Sequence, residues 1–481
     1  MNFTAPDVNT MCLLPEILLL VFASVLLFVT SSPRRHTMVS FMAVAGILVQ
    51  GVLIPLLWNK GYSGFHNVIV RDNLALLFQT VLLIAVLQAI VFSHYYLKTR
   101  GNHCAEYYAL IFTSMLGMNV MITAHNLLVI FLGMEILSLS MYILVGFFRD
   151  IRESVEATLK YFLLGAFSSA IFLLGIAFYY GALGRIDFSM LGFACVATDA
   201  QSLLLLVGIA LIFVGLGFKI ASVPFHMWAP DTYEGAPVSI AALLSVAPKV
   251  AAFGVFLRIC LAITDFRTDT VMVALVFMAC TSIIAGNLAA LRQTQLIRML
   301  AYSGIAQVGY MLIGLLGVQN GGGASLVFYL IAYTFMNMGT FGIAVYISVR
   351  EGRKLLIENL SGLASRHPVL ALSMAIFMIS LAGLPPTAGF FAKFYIFKTG
   401  IEAGYLWLVL VALIMTIVSL YYYFRVIMVM YMREAADQSL TGRREFSPLT
   451  VTIGILAFIT LLLGIMPDNL VTVITRTISL M

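Results

Sequence analysis

The chain is expected to be all-α, a polytopic membrane protein of about 14 transmembrane helices. Three observations carry that expectation. Of its 481 residues, 62% are hydrophobic and only 10% charged. Apolar runs of about 20 residues, the length that crosses the hydrocarbon core as a helix, recur from end to end. Lysine and arginine gather in alternate connections, as they do when loops alternate between the two sides of a bilayer.

Taken in order, the spans fall near residues 12–30, 38–58, 73–96, 106–123, 126–148, 159–181, 201–229, 238–262, 270–290, 295–317, 325–349, 369–397, 405–431 and 449–466. No basic stretch precedes the first, so it is expected to be a retained helix and not a cleaved signal. A tight turn near 124–126 separates the fourth from the fifth. The seventh and twelfth are longer than one straight crossing needs and contain prolines, which marks both as broken helices. GGG at 321–323 opens a connection between spans and has no nucleotide-cradle context.

Orientation follows from the basic residues of the loops. One side holds Arg34, Arg35, Lys98, Arg100, Arg149, Arg152, Arg292, Arg298, Arg350, Arg353, Lys354, Arg366, Arg433, Arg443 and Arg444. The other holds Lys60, Arg71, Arg185, Arg267, Lys398 and Arg476. The richer set belongs in the cytoplasm, which places both termini on the non-cytoplasmic side. An odd number of spans would scramble the separation. The net charge of +6 is scattered among loops, so nucleic acid is not an expected partner.

The most informative stretch is 213–237, FVGLGFKIASVPFHMWAPDTYEGAP. It sets Lys219 among apolar residues, breaks at Pro224, and then presents His226, Trp228, Asp231 and Glu234. A lysine at bilayer depth costs about 2.5–3.5 kcal/mol, and ionisable residues held there mark ion or proton pathways. Lys249, after Pro248, and Lys393, beside the second break, are equally deep. Lys160, Arg258 and Arg425 sit near helix ends, where snorkelling to the interface accounts for them. Among acids Glu135 stands alone in LLVIFLGMEILSLSMYILVGF. One acid and three lysines on different helices suggest partners, and Glu135 and Lys219 are expected to pair.

This set makes a poor hydrolytic site. No nucleophile and base pair up, and Cys12, Cys104, Cys195, Cys260 and Cys280 lie far apart without a CxxC, which argues against iron–sulfur, haem or zinc. Proton relay suits it better. A lysine holds its proton beside a carboxylate and loses it in dry surroundings, so changing the Glu135–Lys219 distance would drive protons along the membrane plane. Lys249 would receive the proton through His226 or water, and Lys393 would be the last station. Trp228, Tyr233 and the GAP turn are expected to fix the cytoplasmic end of the broken helix. The aromatic run 421–424 is expected to be an interfacial or packing belt.

A weak internal repeat accompanies the charges. The seventh and twelfth spans each join a proline break to a lysine, and the sixth and eleventh are both rich in small residues. An offset of five spans makes the second copy inverted, as in secondary transporters. The expected division is therefore 1–104 for helices 1–3, 105–430 for a core of two inverted five-helix repeats (helices 4–8 and 9–13), and 431–481 for a loop and helix 14.

GLGFKIASVPFHMWAPDTYEGAP, SLAGLPPTAGFFAKFY, FLGMEILSLSMYILVGF and RMLAYSGIAQVGYMLIG together resemble the antiporter-like membrane subunits of respiratory complex I, over about residues 105–430 with specific motifs. GFK, VPFH and PDxYxGAP are similar to the subunit-N branch of bacterial NADH:quinone oxidoreductase. The resemblance implies a proton-translocating role within a large assembly in the bacterial inner membrane. Glu135, Lys219, Lys249 and Lys393 carry over as proton-channel residues, with His226 as a connector. It also implies other membrane-arm subunits as partners, and no cofactor in this chain: NADH, FMN, iron–sulfur clusters and quinone would belong to partner subunits. Related scaffolds serve multi-component Na+/H+ antiporters and membrane-bound hydrogenase-type complexes, the alternatives. Gln307 stands where the family often has histidine, and glutamine can position water without taking up a proton.

Overall fold

Apolar runs punctuated by proline, glycine and short polar turns fold into helices throughout a computed structural model, which describes residues 9–28, 36–100, 104–187, 199–262, 269–351, 355–434 and 447–479. In order they are α1 (Thr10–Phe28), α2 (His36–Leu57), a hairpin of β1 (Tyr62–Gly64) and β2 (Ile69–Arg71), α3 (Asn73–Thr99), α4 (Ala105–Thr123) and α5 (Leu127–Val145). Next come α6 (Arg152–Leu183), α7 (Asp199–Ile220), α8 (Trp228–Gly235), α9 (Val238–Ala262), α10 (Asp269–Leu291), α11 (Leu296–Leu316) and α12 (Gly322–Glu351). The chain closes with α13 (Leu363–Arg366), α14 (Pro368–Ala382), α15 (Ala388–Glu402), α16 (Leu406–Met432), α17 (Pro448–Ile465) and α18 (Pro467–Ser479). Arg34, Arg35, Cys195, Arg267, Arg353, Lys354, Arg443 and Arg444 lie outside the described residues.

Helix ends are chemically marked. Asp72 caps α3 by accepting from the Ala75 amide at 2.7 Å, and Asn126 caps α5 by accepting from the Leu128 amide at 2.9 Å. Ser447 and Thr450 form a capping box at the start of α17. Among the described residues, twelve helices are long and apolar enough to cross a membrane. Two of the expected fourteen fall short of that measure. The fourth, α4, is a single 19-residue helix of lower hydropathy, diluted by Glu106, Asn119 and its hydroxyl residues. The twelfth is divided into α14 and α15 of 15 residues each. The hairpin and the amphipathic α18 have no counterpart in the sequence-based expectation.

Burial orders the bundle. The apolar windows of α9 and α12 are 100% buried and that of α11 is 94% buried, against 33% for α1, α2, α16 and α17. These three central helices carry Lys249, Tyr333 and Gln307. Neighbouring helices meet at glycines: a Cβ on Gly117 of α4 would lie 2.6 Å from the Gly133 carbonyl of α5, and one on Gly175 of α6 would lie 2.9 Å from the Gly208 carbonyl of α7.

Two arginines read as loop or snorkelling residues are buried ion-pair members. Arg71 has 0% exposure and donates to Glu16 at 2.5 Å and Gln79 at 2.8 Å. Arg258 does not snorkel: it bonds both oxygens of Asp72, at 2.6 and 2.8 Å, and the Ile122 carbonyl at 3.0 Å. A fixed guanidinium fork with carboxylate partners at hand has no reason to reach for water.

Candidate functional site

α7 ends at Ile220, ahead of Pro224. Ala221 turns into the left-handed region (φ 57°), and the Ser222 amide returns to the Gly217 carbonyl at 2.9 Å, a six-to-one helix-closing bond. The Phe218 carbonyl accepts from the Ala221 amide and from the Trp228 indole, each at 3.0 Å, and the Val223 amide donates to Ser282 of α10 at 2.9 Å. Trp228 stacks on Tyr161 and Phe218, and the Tyr233 hydroxyl donates to the Leu244 carbonyl, so these aromatics pin the segment after the break to α6 and α9. A left-handed alanine carries a backbone cost that glycine escapes. Ala221→Gly is therefore expected to stabilise the fold by about 1 kcal/mol, read as a higher melting temperature of the solubilised protein.

Lys219 occupies the last turn of α7. It is buried and its Nζ donates to Ser138 Oγ of α5 at 2.6 Å. Glu135, half-buried one turn before Ser138, accepts from the Ser169 hydroxyl of α6. Glu135 and Lys219 are not in direct contact, since none of the ion pairs among the described residues joins them. Each charge rests on its own serine instead. Ser138 and Ser169 were missed from sequence, although Ser138 follows Glu135 by three residues, a spacing that puts both on one helix face.

Lys249 is buried on α9. Its Nζ donates to the Gly304 carbonyl of α11 at 3.3 Å and to the Tyr333 hydroxyl of α12 at 3.4 Å. Gly304 makes room for it, since a Cβ there would lie 2.9 Å from that Nζ. Gly304→Ala is expected to displace the amine with little loss of stability and, with Lys249 as the relay station expected from sequence, to slow proton translocation about tenfold, because small misplacements of a reacting group are kinetically costly. Vesicle acidification rates beside a thermal melt separate the two effects.

Lys393 lies on α15, past the second break. α14 closes as α7 does: Gly383 is left-handed (φ 87°) and the Leu384 amide returns to the Ile379 carbonyl at 3.2 Å. The Lys393 Nζ donates to the Ala382 carbonyl at 3.0 Å and lies 4.8 Å from the Tyr310 ring centroid. His226 sits in the turn between α7 and α8, half-buried; neither Lys219 nor Lys249 donates to it.

The aromatic run 421–424 divides. Tyr421 and Phe424 are exposed, as a belt requires, whereas Tyr422 and Tyr423 are buried and hydrogen-bonded. Tyr422 donates to Asn287 at 2.9 Å, and Tyr423 meets Ser303 at 2.5 Å and Gln307 at 3.1 Å. Gln307 also donates to the Leu381 carbonyl at 3.1 Å and accepts from Tyr329.

At the α8 end Asp231 accepts from Lys160 and Arg298, each at 2.8 Å, and Glu234 accepts from Arg298 at 2.6 Å. Burial raises the Asp231 carboxyl, but the hydrogen bonds and charges of Lys160 and Arg298 outweigh it and hold the group below the usual carboxylate range. A cavity of about 270 Å³ opens beside this cluster. Among the described residues no three histidine, cysteine or acidic side chains gather as metal ligands.

Residues 124–419 match the family model described as NADH:quinone oxidoreductase/Mrp antiporter, transmembrane. NADH-quinone oxidoreductase subunit N of Trichlorobacter lovleyi is 36% identical, with 98% of each chain covered. Subunit N 1 of Thermodesulfovibrio yellowstonii is 38% identical over 97% of this chain and 99% of its own. A chain in the structure of respiratory complex I from Thermus thermophilus with bound aureothin superposes with a TM-score of 0.79 at 28% identity, covering 95% of this chain and 98% of that one. Apolar crossings, deep lysines and these likenesses converge: the chain belongs to the family of NADH:quinone oxidoreductase/Mrp antiporter transmembrane subunits, as a multi-pass membrane protein.

Proposed function

We propose that the chain is a proton-translocating membrane-arm subunit of an NADH:quinone oxidoreductase, with quinone reduction carried out elsewhere in the complex. One observation carries the proposal most: Lys219, Lys249 and Lys393 are each buried and each donates only to neutral oxygens, a serine hydroxyl, a carbonyl with a tyrosine hydroxyl, and a carbonyl. A charge kept at depth without a direct ion pair is expensive, and such residues mark proton relays. Glu135 supplies the one negative charge beside Lys219, Lys219 and Lys249 pass the proton along the membrane plane, and Lys393 discharges it. His226 is a connector between the first two, an imidazole able both to accept and to donate a proton.

Fourteen crossings are supported by counting α4 and the α14–α15 pair with the twelve long helices. Two inverted repeats within 105–430 are supported by the shared backbone turn at Ala221 and Gly383. The flanking units are 1–104 and 431–481. Both termini lie outside the cytoplasm of a bacterial cell, and NADH, FMN, iron–sulfur clusters and quinone are bound by partner subunits.

The ion is expected to be the proton alone, since sodium binding needs several oxygen ligands and the set here is rich in lysine. Membrane vesicles bearing the assembled complex, energised with NADH in sodium-free buffer, are expected to acidify at an undiminished rate. A strict requirement for sodium would overturn the assignment.

A further inference from the structure

We infer that α1, α2, α3 and α4 share a binding site for a single water molecule, held by Gln79 and Asn119 near the helix ends that adjoin the β1–β2 hairpin. The four helices meet around a small cavity of about 10 Å³, lined by Pro15 of α1, Gln50 of α2, Gln79 of α3 and Asn119 of α4 among apolar side chains. That is room for one water. Gln50, Gln79 and Asn119 are buried, at 3%, 3% and 1% exposure. Two polar atoms of these lining residues, Gln79 Nε2 and Asn119 Oδ1, have no hydrogen-bond partner among the described residues. Arg71 settles which way the Gln79 amide points. A guanidinium can only donate, and its Nη1 lies 2.8 Å from Gln79 Oε1, so the Gln79 NH2 is left for another acceptor.

A buried donor or acceptor without a partner bears its full desolvation cost, so an orphan donor on α3 and an orphan acceptor on α4 at one cavity call for a ligand between them. Water has the matching chemistry. Its oxygen accepts from Gln79 Nε2 and one hydrogen is donated to Asn119 Oδ1. The second hydrogen is left for the Gln50 amide oxygen, since the Gln50 nitrogen already donates to the Pro15 carbonyl at 2.8 Å. Three bonds are usual for an internal water. A cation would meet the Gln79 NH2 with the Arg71 guanidinium behind it, and an anion would meet the Asn119 oxygen. A neutral ligand that both donates and accepts meets neither obstacle. The water extends the chain Glu16–Arg71–Gln79 to α4, and so gives the peripheral α1 and α2, each with a 33% buried apolar window, a polar tie to the 78% buried α3.

The test is a cryo-EM map of the protein in its membrane assembly, at a resolution that shows ordered waters. A density peak is expected within hydrogen-bonding distance of both Gln79 Nε2 and Asn119 Oδ1. Asn119→Asp keeps an oxygen in the same place and is expected to keep the peak. Asn119→Leu removes the acceptor at similar volume. Its peak is expected to vanish and the backbone amides of α1 to exchange hydrogen about tenfold faster, the effect of one buried donor left unpaired. A wild-type map that resolves other buried waters but shows no peak here overturns the site. So does a peak that persists in Asn119→Leu, because Asn119 would then not hold it. Density that strengthens when rubidium replaces potassium in the buffer marks a cation and overturns the assignment to water. Unchanged exchange in Asn119→Leu overturns the tie to α1. Should that variant fail to assemble, the wild-type map and Asn119→Asp decide alone.

Discussion

Lys219→Ala is expected to reduce coupled proton translocation about 100-fold, the scale of a lost proton-transfer group, while the complex still assembles. Assembly survives because alanine suits the last turn of α7 and removes a buried charge along with its desolvation cost. Ser138 keeps a hydrogen bond without the lysine, donating to the Met134 carbonyl of its own helix. Membrane potential measured beside quinone reduction checks the expectation. Normal coupling in the variant would remove Lys219 from the relay. Loss of the complex from the membrane would show that the ammonium is needed for folding.

Glu135→Gln carries the second large effect. Glutamine keeps an oxygen for Ser169 and nearly the same volume, yet takes away the negative charge on the α5 face that also presents Ser138. Pumping is expected to fall at least about tenfold with little change in stability. The double variant with Lys219→Ala is expected to cost less than the two single losses combined, since groups serving one step are not additive. Ser138→Ala probes the same geometry from the other side. Freed of its serine, the Lys219 amine is expected to turn to the Glu135 carboxylate, and cross-linking or a structure of that variant would show the pair closed. Strict additivity in the double variant would mean that the two residues act separately.

Much of this architecture was legible because bilayer thickness sets run lengths, and because a lone charge in an apolar run is conspicuous whatever the fold. Lys219, Lys249, Lys393 and Glu135 stand out for that reason. Partners are harder to see. Arg71 lies 55 residues from Glu16 and Arg258 lies 186 residues from Asp72, so neither pairing has a local signature. The proline at 224 announced a break, but its position was set by Ala221, a residue type with no preference for the left-handed turn it adopts. Four successive aromatics at 421–424 cannot share one helix face at about 100° per residue, so two had to point inward. Serines in membrane helices are common, and only placement singles out Ser138 and Ser169.

The Arg71–Glu16 pair has a consequence for the first helix. By area α1 is peripheral, with 33% of its apolar window buried. By charge it is obligatory. Arg71 is fully enclosed, and two of its three partners, the Glu16 carboxylate and the Cys12 carbonyl, belong to α1. A chain beginning at α2 would leave that guanidinium buried with Gln79 alone, a loss of about 3–5 kcal/mol on the scale of broken buried ion pairs. A helix holding little of the core would then decide whether the hairpin, and the α3 start that adjoins it, can stay closed to water.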